Sequence, residues 1–132
     1  MNEFVSAPAR PALSPSSPTE SVRAYYRLVD ADDITGPLQL FEPTAQYRRP
    51  GYAELNGPAE LERFYRDERV IESGTHSIAT LVCEGREVAV RGAFEGVLRD
   101  GVKASLRFAD FFGVTAAGTF SLRETFFFAP LV

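Results

Sequence analysis

The sequence predicts an α+β fold: a cone in which a curved antiparallel sheet and three N-terminal helices enclose one apolar pocket. Helical periodicity, with apolar residues three and four apart, is confined to the first part of the chain. From His76 onward, four runs of strand character follow one another, separated by short loops. Helices followed by a strand meander pack as a helical layer on one face of the sheet. The alternating apolar faces then line the concave side, a cavity suited to an apolar small molecule.

Met1 to Ser16 is rich in Pro, Ala and Ser and reads as a disordered leader, which leaves 17–132 as one domain. Ser17-Pro18-Thr19-Glu20 marks a helix start, with Ser17 as N-cap, Pro18 at the first helical position and Glu20 completing a capping box. Val22, Tyr25, Tyr26 and Val29 share one stripe of that helix, which should end between Asp30 and Asp33. A short second helix is expected over Thr35 to Phe41, with Pro37 in its first turn. Ala45 to Tyr47 reads as a brief strand stopped by Pro50-Gly51. A third helix follows Gly57-Pro58, turns Leu61, Phe64, Tyr65 and Ile71 inward, and meets its stop at Gly74. The four strands are His76 to Cys83, Glu87 to Leu98, Lys103 to Val114 and Phe120 to Phe128. Glu84-Gly85-Arg86, Arg99-Asp100-Gly101 and Thr115 to Thr119 form their loops.

The bulk numbers narrow the function. In 132 residues there is room for one domain. A net charge of −4 without a basic run argues against a nucleic-acid or anionic-membrane partner. Cys83 is the only cysteine, so there is no internal disulfide, in keeping with a reducing cytoplasm. One Cys and one His cannot build a typical zinc site. No phosphate loop, dinucleotide fingerprint or serine-nucleophile elbow is present. The expectation is cofactor-free acid–base chemistry in a cytoplasmic protein.

The chemistry is suggested by two acids. Leu106, Phe108, Asp110, Phe112 and Val114 alternate on one strand, and Phe120, Leu122, Glu124, Phe126 and Phe128 on the next. A period of two puts each set on one side of the sheet. If Val114 pairs with Phe120 across the loop, Asp110 pairs with Glu124, with Cβ atoms about 4.5–5.5 Å apart. Two carboxylates that close in an apolar cavity cannot both ionise cheaply, so one is expected to hold its proton and act as a general acid.

The segments Ala24 to Ile34 (AYYRLVDADDI), Leu55-Asn-Gly-Pro with Phe64-Tyr-Arg66, and Phe108-Ala-Asp-Phe-Phe112 resemble the nuclear transport factor 2-like superfamily. More specifically, they resemble its branch of ketosteroid isomerases and SnoaL-like proteins. The resemblance covers about Ser17 to Phe128. It implies the cone fold, and it matches Tyr25 and Asp110 to the Tyr and Asp of a ketosteroid isomerase oxyanion hole. The isomerase base falls near Arg49, in Tyr47-Arg48-Arg49-Pro50-Gly51. Arginine stays protonated and cannot serve as that base, which disfavours ordinary ketosteroid isomerisation. Polyether epoxide hydrolase/cyclases and pyran-forming cyclases are nearer in chemistry, and His76 stands where such proteins often carry a cavity acid or histidine.

The candidate catalytic residues are therefore Asp110, Glu124, His76 and Tyr25. Tyr26, Tyr65, Arg49, Phe108 and Phe112 are candidates for substrate binding. Histidine is the side chain whose ordinary titration lies nearest neutrality. Tyr25 and Tyr26 diverge by roughly 100° on a helix, so one of them is expected to point into the pocket. Arg49 can be a counter-ion for a substrate carboxylate or a partner for Asp110. The expected activity is that of a cofactor-independent cyclase or isomerase on an apolar polyketide-type substrate. A dehydratase, or a binding module without catalysis, is the alternative on the same fold. The outer sheet face, with Arg107, Ala109, Phe111, Arg123, Thr125 and Phe127, is expected to make a homodimer.

Overall fold

A computed structural model describes residues 17–128; the expected leader, 1–16, lies outside the described residues. Helix α1 spans Pro18–Asp30. The Ser17 hydroxyl accepts from the Glu20 amide at 3.3 Å, and Pro18 occupies the first turn, where its missing N–H costs nothing. Val22, Tyr25, Tyr26 and Val29 are all buried. Helix α2 (Thr35–Gln39) is one turn built around buried Pro37. Helix α3 (Gly57–Arg63) runs directly into a π-helical turn, Phe64–Glu68, where the Arg69 amide reaches back five residues to the Phe64 carbonyl. Leu61, Phe64 and Tyr65 are all buried there.

The sheet has six strands: β1 (Phe41–Arg48), β2 (Leu55–Asn56), β3 (Ile71–Glu84), β4 (Glu87–Leu98), β5 (Lys103–Val114) and β6 (Phe120–Phe127). Their order is β2-β1-β6-β5-β4-β3. All neighbours are antiparallel except β1 and β6, which run parallel. The pairing shifts register in β3 and again between β5 and β6. Such bulges deepen the right-handed twist and curl the sheet around α1. The expected cone is found, with more strands than the four-strand meander supplies.

Three expectations are corrected. Gly74 does not stop a helix. It lies in β3 opposite Gly96, and a Cβ there would come within 2.4 Å of the Phe94 ring. Glycine is required because an aromatic ring lies flush on the backbone, and the strand starts at Ile71 instead of His76. The Asp110–Glu124 pairing also fails. Val114 does pair with Phe120, but Gly113 then pairs with Leu122, leaving Ser121 as an extra residue. The Ser121 hydroxyl donates to the Gly113 carbonyl at 3.2 Å. One extra residue inverts the parity of the strand. Asp110 therefore faces Thr125, and Glu124 turns to the outer face opposite Phe111. The same inversion changes the outer surface: Phe126 and Phe128 join Phe111 there, all three exposed, while Arg123, Thr125 and Phe127 turn inward.

Candidate functional site

The inner face centres on Asp110, which has no solvent exposure. Arg123, three places along β6 from the Phe120 end and brought inward by the bulge, donates from Nη2 to Asp110 Oδ2 at 2.8 Å. The hydroxyls of Tyr26 and Thr125 also donate to the carboxylate. Burial alone pushes the Asp110 carboxyl up. The Arg123 charge and the hydrogen bonds from Arg123, Thr125 and Tyr26 outweigh it and hold the group below the usual carboxylate range. Asp110 is thus ionised and fully engaged. This corrects the expectation of a proton-holding acid: its partner is a cation instead of a second carboxylate. Glu124 pairs with Arg48 at 3.1 Å near the surface.

Donor directions around Asp110 are fixed by valence. An arginine only donates, an ionised carboxylate only accepts, and each hydroxyl has one hydrogen. The Thr125 hydrogen goes to Asp110, so Tyr47 donates to Thr125 across 3.2 Å. The Tyr47 oxygen then accepts from Arg49 Nη1 at 2.8 Å. On the other side, Arg123 Nη1 donates to the hydroxyls of both Tyr25 and Tyr65, which also bond each other. Burial first of all raises Tyr25, Tyr26 and Tyr65 above the ordinary tyrosine range and keeps them neutral phenols. Both adjacent tyrosines of α1 thus reach the polar centre, Tyr26 at Asp110 and Tyr25 at Arg123.

His76 sits apart from this network. Its Nδ1 lies 2.6 Å from Asp30 Oδ1, and its backbone N–H donates to Asp30 Oδ2 at 2.9 Å. The carboxylate oxygen accepts, so Nδ1 carries a hydrogen, and in the neutral imidazole Nε2 presents a lone pair. Nε2 makes no hydrogen bond among the described residues. The rings of Phe94, Tyr26 and Phe108, with centroids at 4.9, 5.1 and 5.4 Å, fix the imidazole plane. Asp30 was read only as part of a helix end. Two signals point to it: it lies four residues after Tyr26 on the buried stripe, and an acid in the last turn opposes the helix dipole.

His76, Asp110, Thr125, Arg123 and Arg49 share one central void with Phe108 and Phe127. Its volume is about 20 Å³, room for roughly one water molecule. The expected deep pocket is narrow because aromatic side chains fill the concave face. Phe112 belongs to that filling, packed on Tyr25, Tyr26 and Phe120 and away from the void. Tyr65 and Ile71 also border a rim cleft of about 390 Å³ between the end of α1 and the π-helical turn. Ile71 lines both spaces. Among the described residues, no group of three or more His, Cys, Asp or Glu side chains is placed to hold a metal ion, and no helix is long and apolar enough to cross a membrane.

The family model for the SnoaL-like domain matches residues 22–121. No curated protein matches the chain. Among solved structures, an NTF2-like protein of unknown function from Burkholderia pseudomallei is 20% identical, with a TM-score of 0.76 over 85% of this chain and 91% of its own. SalBIII, an epoxide hydrolase/cyclase-like enzyme of pyran ring formation in the polyether salinomycin, is 22% identical, with a TM-score of 0.74 over 83% of this chain and 89% of its own. TerC, co-crystallised with polyporic acid, is 23% identical, with a TM-score of 0.72 over 84% of this chain and 92% of its own. At these identities the likeness concerns the fold.

Proposed function

This chain belongs to the SnoaL-like domain family, and we propose on that premise that it is a cofactor-independent acid–base cyclase or isomerase of specialised metabolism. The substrate class is an apolar polyketide-type molecule that closes a pyran or ether ring. The observation that carries this reading is the Asp30–His76 pair, with a free Nε2 on a residue that lines the central void. His76 Nε2 takes the proton of a substrate hydroxyl while that oxygen bonds to an activated alkene carbon. The alkene electron pair moves onto the conjugated carbonyl as an enolate. The imidazolium, stabilised by Asp30, then returns its proton to the α-carbon, so the net reaction is an isomerisation. Proton transfer of this kind contributes about 10²–10⁴-fold in rate, and holding the chain in a ring-forming geometry adds more.

Asp110 has a different part. It is ionised in the protein and cannot open an epoxide as a proton donor, which favours base-initiated ring closure over acid-initiated epoxide opening. Its negative charge fixes Tyr26 and Arg123 around the site. SalBIII, whose described role is in pyran ring formation, supports the same direction by fold likeness. Elimination of water uses the same base in the reverse sense, so a dehydratase reading rests on the same residues. A carrier of apolar ligands has no use for an oriented imidazole at its centre.

The test is turnover of a hydroxy-enone that closes to a pyranone, followed by loss of enone absorbance. His76→Gln is expected to lose about two to four powers of ten, and Asp30→Asn a smaller part. Unchanged turnover in both variants, with a substrate verified on the wild type, would remove the base assignment.

A further inference from the structure

Among the described residues, two buried side-chain polar atoms have no hydrogen-bond partner: Nε of Arg49 and Nε of Arg123. Both residues line the same central void. Buried donors in folded proteins are nearly always satisfied, and one that is not needs a reason, of which a bound ion or water is one. Here the two arginines that carry such donors line one small space.

The surroundings make those guanidiniums rigid and leave one of them short of negative charge. Arg123 gives Nη2 to Asp110 and Nη1 to Tyr25 and Tyr65, so its plane is fixed with Nε left over. Arg49 gives Nη1 to the Tyr47 hydroxyl. The rings of Phe64, Phe127, Tyr52 and Tyr47 lie 5.2 to 5.8 Å from its central carbon, which sets the cation in an aromatic frame. Arg49 forms no salt bridge among the described residues, while the one carboxylate lining the void is already taken by Arg123. Two cations and one engaged anion border the space, and guanidinium N–H donors suit an oxygen anion.

The geometry points to an anion cradle: the void between Arg49 and Arg123 receives a negatively charged oxygen of the substrate, from a carboxylate or an enolised carbonyl. This rests on the reading of the same void as the active site, and it names the substrate class more closely. About 20 Å³ admits that oxygen alone, so the rest of the molecule, with its hydroxyl toward His76, enters only as the aromatic side chains of the concave face give way. The cradle also gives the enolate formed during ring closure a place to develop charge against fixed donors.

The experiment reads binding, without turnover. Arginine Nε–H resonances of the full chain are recorded by proton–nitrogen NMR while formate, or the enolate of 1,3-cyclohexanedione, is added. The Arg49 and Arg123 signals are expected to shift together and saturate, and sodium chloride or neutral cyclohexanone at the same concentration to leave them in place. Arg49→Met keeps a long stem for the aromatic frame and removes the charge, and it is expected to weaken binding by about tenfold or more. Arg49→Lys keeps the charge without Nε–H and is expected to fall between. Saturation with formate alone assigns a carboxylate head group, and with the enolate alone an enolised carbonyl. Shifts that fail to saturate with either anion, or that chloride reproduces, would mean that water satisfies the two donors and would overturn the cradle. That result leaves the turnover losses of the His76 and Asp30 variants untouched, so the two proposals fail separately.

Discussion

Replacing Asp110 with Asn tests whether the centre of the site is held by an ion pair. The carboxylate has no solvent exposure and the Arg123 side chain is 6% exposed, so neither charge can turn to water. Asparagine preserves volume, but its single oxygen cannot accept from Arg123, Tyr26 and Thr125 together, and its amide adds hydrogens where donors already converge. Breaking a buried pair from one side costs about 3–5 kcal/mol, because the surviving charge stays buried without a counter-ion. Against a domain stability of about 5–15 kcal/mol, that is a large fraction. It corresponds to a Tm loss of roughly 10–20 °C in a chain of this size. Arg123→Met should cost a similar amount. The double variant should lose less than the sum of the two, by about 2 kcal/mol, since the second substitution removes a charge already orphaned. Urea unfolding at pH 7 measures all three. A loss below about 1 kcal/mol for Asp110→Asn, or strict additivity in the cycle, would refute the ion pair.

Other outcomes follow from the same geometry. Asp110 is held below the usual carboxylate range in the folded state, so its stabilisation is present above the unfolded value near 4 and is lost as pH falls through the lower folded value. Acid unfolding followed by circular dichroism should therefore be shallower in Asp110→Asn than in the wild type, and parallel curves would contradict this. Tyr25, Tyr26 and Tyr65 carry raised values, so ultraviolet titration should find them neutral until the fold opens, with stability falling as pH rises above about 10, where the unfolded tyrosines ionise. Early ionisation of all five tyrosines would mean that the centre is wet. The outer sheet face carries Phe111 and Phe126, 44% and 51% exposed, with ring centroids 5.7 Å apart. A second copy covering that face predicts a dimer at micromolar concentration by light scattering, and a monomer of unchanged Tm for the double substitution of Phe111→Glu with Phe126→Glu. A monomeric wild type would remove this.

Much of the frame was legible because it rests on local chemistry. Ser17 and Pro18 announce the first helix, and the Gly85 and Gly101 turns mark β4 and β5 at the residues where those strands begin and end. Asp110 stood out because an acid on an apolar face must be answered by something. Its partner was misread for a single reason. Leu122, Glu124, Phe126 and Phe128 are the more apolar set, and a regular alternation places them inside. Ser121 breaks that alternation, and a bulge of one residue leaves no reliable mark on composition. Arg123 was placed on the outer face for the same reason. Asp30 was hidden differently: its value lies in reaching a strand 46 residues away, a contact set by tertiary packing alone.

The fixed donor sequence from Arg49 through Tyr47 and Thr125 to Asp110 has a further consequence. A proton wire needs links that can reverse, each hydroxyl accepting from one neighbour and then donating to the other. Here both ends forbid reversal: the guanidinium cannot accept, and the ionised carboxylate cannot give. The chain therefore has one polarity, a string of aligned dipoles with its negative end at Asp110. It lends the centre a permanent field without offering a hopping path.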